Sequence, residues 1–501
     1  MTTRTHTRRL QEVHVEALDA ARLEPLIGAE RMARFEQIAD AAQGALTGRT
    51  VLNVNSTATG GGVAEMLQTL LAYVRGAGID ARWLVIAGDP EFFAITKRIH
   101  NGLYGSPGDG GELGAAERRH YERVIRRNAD DILALVRAGD VALIHDPQPA
   151  GLCPFLAAAG ARVVWRSHVG ADAPNEWTAR AWDFLRSYIE DAEAYVVSRP
   201  AFAPPWADDA RTHVVQPSID PFSAKNEPVS RRNVRVALAY CGLLEGDKTP
   251  PAVPFRRRDG SPGRINRHVD IVQNGPPTPA DAPMVIQASR WDSMKDMAGV
   301  MEGFVEHVDP ALGAHLVLAG PAVTGVADDP EAALIYDDCV DRWRRLPHAL
   351  RGRVHLACMP MADPDEAAAM VNALQRHATV VVQKSIAEGF GLTVAEAMWK
   401  SRPVVGSAVG GIADQIVHGE HGLLVRDPRD LGEFGAAVEA LLRDPEEAER
   451  LGRNARERAT AEYLGDRHLE QYGRLFAQLA GAGNYRRHPG PCTDARRGGR
   501  P

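Results

Sequence analysis

Two glutamates set around a Gly-x-Gly turn form the most specific chemical pattern in the sequence. Glu388 and Glu396 lie in SIAEGFGLTVAEAMWK, residues 385–400, where a helix is predicted to begin near Leu392. Eight positions along a helix correspond to about 12 Å of rise and about 80° of rotation, so both carboxylates can point to one side. Free N–H groups at residues 391–393 suit a phosphate, and carboxylates accept hydrogen bonds from hydroxyls. The pattern favours a ligand with a phosphate between two polyols over a pair of solvated helix residues.

Two cations follow a predicted strand in the same half of the chain. Arg290 and Lys295 lie in ASRWDSMKD, residues 288–296, directly after the apolar run 284–288. Such cations can neutralise a diphosphate whose negative charge grows as it leaves. The alternative is a solvated surface pair, which the position beyond a strand end makes the less favoured interpretation.

A run of three glycines, residues 60–62, separates a predicted strand from a predicted helix in VLNVNSTATGGGVAEML. Glycines let a backbone approach a ligand closely and a helix start attracts an anion, so this loop is a candidate for contact with a phosphate. The run lacks the G-x-G-x-x-G spacing and the P-loop lysine. A tight structural turn is an equally good interpretation.

Polar side chains end two further predicted strands. His145, Asp146 and Gln148 belong to HDPQP, and Arg166 and His168 belong to WRSHV. Ligands of open α/β sheets bind at the carboxyl ends of the strands, so these side chains are expected to face a cleft. Taken alone, Asp146 could equally cap a turn. Two histidines that end adjacent strands nevertheless favour a site over a structural role.

Short apolar runs alternate with longer amphipathic ones from residue 50 onward, the pattern of β–α units that build parallel sheets. Two series of strands are predicted, at 51–55, 81–86, 141–145, 163–167, 195–198 and 213–215, and at 284–288, 315–319, 354–358, 380–383, 404–406 and 422–425. Predicted helices include 64–75, 117–137, 297–307, 330–345, 364–377, 392–400 and 445–479. The fold class is therefore α/β, with two doubly wound domains and a ligand cleft between them.

The predicted domain boundary lies in a polar, proline-stiffened link at residues 216–226. Residues 1–220 then form a first domain with an N-terminal extension, and residues 221–460 form a second. The second domain carries a Pro-rich insertion at about 241–283, expected to be mostly surface loop, with a lid as the alternative. A helix within 461–480 is expected to pack back on the first domain, and the Gly/Arg/Pro-rich tail 481–501 is expected to be disordered.

Charge and cysteine content exclude several classes of function. The 501-residue chain has 58 basic and 65 acidic side chains, a formal net charge of −7, so it lacks the positive field of a non-specific nucleic-acid binder. Its five cysteines include no C-x-x-C pair, which argues against a disulfide framework or a zinc knuckle. No apolar run reaches the roughly 18 residues of a membrane span. We therefore expect a cytoplasmic protein with no membrane span and no nucleic-acid partner.

The E-x7-E pattern after a strand, with R-x4-K earlier in the same domain, resembles the retaining glycosyltransferases of family 4. Those enzymes have the GT-B fold of two facing Rossmann-like domains. The resemblance implies that Glu388 contacts the donor sugar and Glu396 the nucleotide ribose, while Arg290 and Lys295 bind the diphosphate. The residues implied to surround the donor are Gly61, Gly62, Arg290, Lys295, Glu388, Gly389, Phe390, Gly391, Leu392, Thr393 and Glu396.

Four strings in the first half, NSTATGGGVAEML, HDPQPAGL, WRSHVGADAPN and QPSIDPFSAKN, are similar to those of the glycosyltransferring trehalose synthases and the related retaining trehalose phosphorylases. The likeness covers residues 51–226 and 283–472 but neither the Pro-rich insertion nor the tail. It implies that His168 lies near the transferred sugar. It further implies that the first domain binds the acceptor, through His145, Asp146, Gln148 and Arg166, and that the second binds the nucleotide sugar.

The resemblance thus implies transfer of glucose from a nucleotide diphosphate glucose to glucose, giving α,α-trehalose with retention. The candidate catalytic residues are His168, Arg290, Lys295 and Glu388. No metal site or resident cofactor is required, Mg²⁺ is a candidate stimulant, and a homodimer is considered. Three alternatives stay open: a retaining trehalose phosphorylase, a family 4 enzyme with another acceptor, and a non-catalytic sugar-nucleotide sensor. The donor base, adenine, uracil or guanine, is left undecided.

Overall fold

The first half of the chain alternates strands with helices. The computed structural model describes residues 10–58, 61–247, 253–323 and 330–481. The elements of the first half are β1 (Gln11–Val13), α1 (Glu24–Ile27), α2 (Ala29–Ala45), β2 (Val51–Asn55), α3 (Gly61–Gly76), β3 (Ala81–Val85), α4 (Pro90–Leu103), α5 (Ala115–Ile132), β4 (Val141–His145), α6 (Cys153–Ala158), β5 (Arg162–Ser167), α7 (Glu176–Ile189), β6 (Ala194–Val197) and β7 (Thr212–Val214).

The second half repeats the alternation and ends in three consecutive helices. Its elements are α8 (Arg231–Cys241), β8 (Pro254–Arg256), β9 (Pro262–Arg264), β10 (Asp270–Val272), β11 (Met284–Ala288), α9 (Met297–His307), β12 (His315–Pro321), α10 (Pro330–Arg345), α11 (His348–Arg351), β13 (Val354–Met359), α12 (Pro364–His377), β14 (Val380–Gln383), α13 (Leu392–Trp399), β15 (Val404–Ser407), α14 (Gly410–Gln415), β16 (Leu423–Val425), α15 (Leu431–Arg443), α16 (Pro445–Glu462) and α17 (Gly465–Leu479).

Two seven-stranded sheets have closely similar topology. The first has the order β1-β3-β2-β4-β5-β6-β7 and the second the order β10-β13-β12-β11-β14-β15-β16. Each is parallel except for one antiparallel edge strand, β1 beside β3 and β10 beside β13. The chain reverses its direction across the sheet between β2 and β4, and again between β11 and β14. Ligands of doubly wound sheets bind at such reversals. The glycine run, HDPQP and the two patterns of the second half follow these four strands, whereas WRSHV ends the neighbouring strand β5.

Burial on both faces explains why the sequence reveals the strands so clearly. Every residue of the central strands β2, β4, β11 and β14 is buried, so each appears as a mostly apolar run rather than one that alternates apolar and polar residues. Helices α3 and α17 cover one face of the first sheet, and α4, α5 and α7 cover the other. All twelve predicted strands are present within two residues of their predicted bounds. The α/β prediction is confirmed.

The C-terminal helical stretch, predicted as one run from 445 to 479, is two helices. It breaks at Tyr463 and Leu464 because both side chains are buried in the core of the second sheet, and the Tyr463 carbonyl accepts a hydrogen bond of 2.9 Å from the Ile219 N–H. The following helix α17 packs on α2 and α3. Its Asp466 forms an ion pair with Arg31 of α2.

The Pro-rich insertion is more ordered than the sequence suggests. Most of its described residues lie outside helices and strands, as predicted, but β8 and β9 form a hairpin and β10 extends the second sheet along the edge of β13. The Phe255 side chain is buried in the core, and Arg258 pairs with Asp365 at 2.8 Å. Three-residue strands rich in proline are too short to show a period in sequence. Residues 248–252 of the insertion, Gly60 of the glycine run and the tail 482–501 lie outside the described residues.

Removing the Phe255 ring should test whether the insertion belongs to the folded domain. We expect Phe255→Ala to lower the free energy of unfolding by about 3 kcal/mol, because a buried aromatic side chain is lost from a packed core. Chemical denaturation measures the change. The control is Arg256→Ala, an exposed neighbour on the same strand, for which a change within about 0.5 kcal/mol is expected. Equal stability of the two variants would contradict the prediction.

Candidate active site

The donor half of the candidate site is built by the loops that follow two adjacent strands, β11 and β14. Lys295, in the first loop, forms an ion pair with Glu388 in the second. The Ser385 hydroxyl donates a further hydrogen bond of 3.2 Å to the same carboxylate oxygen. The Glu388 residue is only 8 % exposed, so its charge depends on these partners. The structure therefore brings two of the predicted catalytic residues into direct contact.

Arg290 lies beside a carboxylate that the sequence analysis did not single out. Its Nη2 is 3.2 Å from Asp292 Oδ2. Burial alone would raise the pKa of Asp292, but the cations Arg290, Lys97 and Lys295 outweigh it and lower that pKa to about 2. Asp292 is therefore ionised at neutral pH and holds Arg290 at the rim of the donor half.

Helix α13 begins at the donor half without a side-chain cap. Its N-cap is Gly391, whose φ of 86° lies in the left-handed region that favours glycine. Uncapped N–H groups at a helix start attract anions. Leu392 and Thr393 open the helix, and the Thr393 hydroxyl is anchored to Gln383 of β14 at 2.8 Å. The predicted phosphate-binding turn is thus held directly beyond a strand of the sheet.

The glycine run of the first domain lies against the start of α13. A Cβ placed on Gly62 would be 2.7 Å from Leu392 Cδ1, so a larger residue there would push on the helix start. Gly61, which begins α3, has a φ of 78°. Phe390 has a different role from its glycine neighbours, because its buried ring packs edge-on to Tyr463 at 5.5 Å.

Glu396 is buried one turn into α13, and it forms an ion pair with Lys225 of the linker between the domains, residues 216–226. Its Oε1 lies 3.2 Å from Nζ of Lys225, and the same ammonium lies 3.2 Å from Oε2 of Glu65 on α3. Burial raises the pKa of Glu396, while Lys225 and Lys400 pull it down. Its second oxygen, Oε2, is buried with no hydrogen-bond partner.

The acceptor half is built at the ends of β4 and β5. Asp146 has a φ of 66°, a left-handed conformation that Asp tolerates better than most residues, and its Oδ1 accepts the His168 backbone N–H at 2.8 Å. His145 Nδ1 lies 3.1 Å from His168 Nε2, and His145 Nε2 lies 3.2 Å from Asn53 Oδ1. Burial lowers the pKa of His145 to about 3 and that of His168 well below its usual value, so both rings are neutral.

The two halves touch at one glycine. A Cβ on Gly389 would lie 2.2 Å from the His168 carbonyl oxygen and 3.2 Å from the Tyr104 hydroxyl, so no side chain fits at this position. The contact joins the donor loop after β14 to the acceptor loop after β5.

Arg166 and Gln148, two of the predicted acceptor contacts, lie in different surroundings. Arg166 is fully buried on the face of the first sheet that α17 covers, where its guanidinium donates to the Val215 carbonyl at 2.6 Å and to the Ser198 hydroxyl at 3.3 Å. Alternation along β5 turns its side chain in the direction of Val164, into that core. Gln148 is half-buried in the loop after β4. Arg166 is therefore buried beside His145, its register partner on β4, and its contact with the acceptor stays a prediction.

Helix α4 contributes residues that the sequence analysis missed. Lys97 Nζ lies 3.9 Å from Asp292 Oδ2 and 3.6 Å from Glu331 Oε2, so it crosses from the first domain to the second. The His100 ring packs edge-on to Tyr104 at 5.2 Å, and burial with the nearby cations Lys97 and Arg290 lowers the His100 pKa to about 4. The signals for this helix were present: Asp89 caps it, a proline follows, and its apolar residues recur every three to four positions.

The described residues contain neither a cluster of metal ligands nor a helix that could span a membrane. No group of three or more His, Cys, Asp and Glu side chains there is arranged to hold a metal ion. None of the helices in the same part of the chain combines the length and apolarity needed to cross a membrane.

Comparison with known proteins identifies the family. Residues 53–204 match the family described as trehalose synthase, N-terminal domain, and residues 345–458 match glycosyl transferases group 1. The chain is 34 % identical over 456 residues to trehalose synthase of Pyrococcus horikoshii, covering 91 % of this chain and 95 % of that protein. This chain belongs to the trehalose synthase family. The Rubrobacter xylanophilus trehalose synthase is also 34 % identical, over 87 % of this chain and 92 % of the relative.

More distant relatives and solved structures share sequence or fold with this member of the trehalose synthase family. Trehalose phosphorylase of Pleurotus pulmonarius is 25 % identical, over 74 % of this chain and 49 % of that protein. Sucrose-phosphate synthase from Thermosynechococcus elongatus shares the fold with a TM-score of 0.61 at 18 % identity, over 87 % of this chain and all of the other. The Anabaena protein HepE in complex with UDP and glucose shares it with a TM-score of 0.56 at 14 % identity, over 86 % and 100 %. The GT-B fold and the glycosyltransferase class are confirmed, whereas the role of each site residue stays a prediction.

Asp146 should make stability depend on pH. Burial raises its pKa to about 7, whereas an Asp in the unfolded chain titrates near about 3.9. The folded protein therefore retains a proton that the unfolded chain has already released, and this contribution to stability is lost as pH rises through about 7. We expect the stability of Asp146→Asn relative to wild type to increase by at least about 1 kcal/mol from about pH 5 to about pH 8. Urea denaturation across this range measures it, and parallel curves would contradict the prediction.

Proposed function

We propose that the protein transfers a glucosyl group from a nucleoside diphosphate glucose to the anomeric hydroxyl of glucose, forming α,α-trehalose with retention. The observation that carries the proposal is the match to trehalose synthases over nine-tenths of the chain, and the close approach of Gly389 to the His168 carbonyl supports it. The HepE structure with UDP and glucose supports a nucleotide sugar as donor for this fold.

The donor half supplies charge for the leaving diphosphate. Lys295 and Arg290 are held by Glu388 and Asp292, so both cations are positioned before the donor arrives. Preorganised charge aimed at a developing anion is usually the largest single contribution to catalysis. The start of α13 adds backbone N–H donors. In this proposal Glu388 accepts hydrogen bonds from hydroxyls of the donor sugar, while Glu396 accepts them from the ribose.

Retention is proposed to follow from attack on the face that the diphosphate leaves. The bond between the anomeric carbon and the diphosphate oxygen breaks, the acceptor oxygen bonds to that carbon, and the acceptor proton passes to the departing diphosphate. A covalent double displacement would instead need an ionised carboxylate at the anomeric carbon. Asp146 is the candidate for it, but burial holds its pKa at about 7, which suits hydrogen bonding to a hydroxyl better than nucleophilic attack.

Product analysis tests the reaction directly. Incubation with ADP-glucose, UDP-glucose or GDP-glucose plus glucose should yield trehalose and free nucleoside diphosphate in equal amounts, identified by chromatography and NMR. Glucose with α-glucose 1-phosphate and no nucleotide is the arm for a phosphorylase. Trehalose formed only in that arm, or a disaccharide other than trehalose, would overturn the proposal in favour of one of the alternatives. Donor hydrolysis or transfer of any kind would exclude a non-catalytic sensor.

Removing either member of the Lys295–Glu388 pair should disable transfer. We expect Lys295→Ala and Glu388→Gln each to lower kcat/KM for the donor by about a hundredfold or more, because a diphosphate or a sugar hydroxyl loses its charged partner. Arg426→Ala is the control, since that side chain is 90 % exposed on the same domain and should leave turnover unchanged. Wild-type kinetics in either test variant would contradict the assignment.

A further inference from the structure

The linker between the domains places one ammonium among three parts of the molecule. Lys225 follows the last strand of the first sheet, and its Nζ lies 3.2 Å from both Glu396 Oε1 on α13 and Glu65 Oε2 on α3. The Lys225 side chain is 19 % exposed, against 3 % for Glu396 and 37 % for Glu65. The Lys225–Glu396 ion pair is therefore more buried than the Lys225–Glu65 pair. Electrostatic attraction is stronger where water is excluded.

Asn226, the next residue of the linker, is hydrogen-bonded to the end of α13. The Asn226 side-chain oxygen accepts a hydrogen bond of 2.8 Å from Lys400 Nζ at the end of α13. The Asn226 carbonyl accepts from the Trp399 indole at 3.2 Å and from the Arg376 guanidinium at 2.9 Å. Lys225 is thus held rigidly relative to Glu396, and a rigid partner fixes the orientation of a carboxylate.

Only one oxygen of the Glu396 carboxylate has a partner among the described residues. Lys225 engages Oε1, whereas Oε2 is buried without a hydrogen-bond partner among the described residues. A buried acceptor left without a donor costs free energy, and a ligand hydroxyl that reaches it recovers that cost. Oε2 is therefore a buried acceptor that a ligand hydroxyl would satisfy.

We propose that Lys225 is a positioning residue for the nucleotide: its ammonium fixes Glu396 through Oε1, so that Oε2 is presented to a ribose hydroxyl of the donor. The inference rests on the proposed function, in which Glu396 meets the ribose. Lys225 also ties this carboxylate to Glu65 of the first domain, next to the glycine run. Ribose recognition by the second domain then depends on a cation that the first domain helps to hold.

The experiment measures how strongly the protein distinguishes ribose from deoxyribose. Calorimetry gives the dissociation constants of whichever of ADP, UDP and GDP binds wild type most tightly, and of its 2′-deoxy and 3′-deoxy analogues. For wild type we expect removal of the recognised hydroxyl to weaken binding roughly tenfold or more, since that hydroxyl bonds to a charged acceptor. For Lys225→Met we expect the ratio to fall below about threefold, because Oε2 is no longer aimed at the hydroxyl.

A matched control separates this effect from a general loosening of the domains. Arg199 of the first domain lies 2.8 Å from Asp414 of the second and likewise pairs with Asp172. We expect Arg199→Met to retain the wild-type ratio of ribose to deoxyribose affinity, even if overall binding weakens. If Lys225→Met does not fold, Lys225→Gln replaces the ammonium with a shorter, neutral side chain that cannot form the ion pair with Glu396, and it carries the same comparison.

The outcomes also distinguish this inference from the proposed function. If wild type binds the ribonucleotide and prefers it to the deoxy analogues, but Lys225→Met or Lys225→Gln keeps the full preference, then the inference is overturned and the proposed function stands. If wild type binds none of the three nucleoside diphosphates, the proposed function fails. The inference then fails as well, because it rests on that function. An equal loss of preference in Arg199→Met would reduce Lys225 to a general interdomain contact and also overturn the inference.

Discussion

The close approach of Gly389 to the His168 carbonyl is the constraint on which the active site depends. The donor loop after β14 and the acceptor loop after β5 belong to different domains, and they can meet only because position 389 has no side chain. Any Cβ there would force the loops apart. In the proposed function, the cations of the donor half and the groups of the acceptor half would then no longer lie on either side of one sugar, and transfer between two bound molecules depends on that proximity.

Ion pairs hold the cations of the candidate site in place in a chain whose net charge is −7. Lys295 is held by Glu388, Arg290 by Asp292, and Lys225 by Glu396 and Glu65. Each carboxylate lowers the cost of burying its cation, so the positive groups are ordered without a ligand. The same carboxylates can accept hydrogen bonds from hydroxyls, which suits a donor that carries a diphosphate between two sugars. In the proposed function, the same residues therefore serve both preorganisation and recognition.

The acceptor half relies on neutral groups instead. Burial keeps the His145 and His168 rings uncharged, and it makes Asp146 far harder to ionise than an exposed aspartate. Hydroxyls of a neutral sugar need donors and acceptors of hydrogen bonds rather than net charge. The contrast between a charged half and a neutral half follows the chemistry expected of a charged donor and a neutral acceptor.

The sequence by itself determined the two sheets and most of the donor half. Central strands of a parallel sheet are buried on both faces and so read as apolar runs, and polar residues directly after them must lie at the carboxyl edge. Only the tertiary structure decided the rest. Arg166 turns into the core because side chains alternate along β5, and Lys97 reaches Asp292 because α4 lies across the cleft. Lys225 joins Glu65 to Glu396 across a sequence separation of 160 and 171 residues, respectively. Such contacts depend on how helices and domains pack, and no local pattern records that packing.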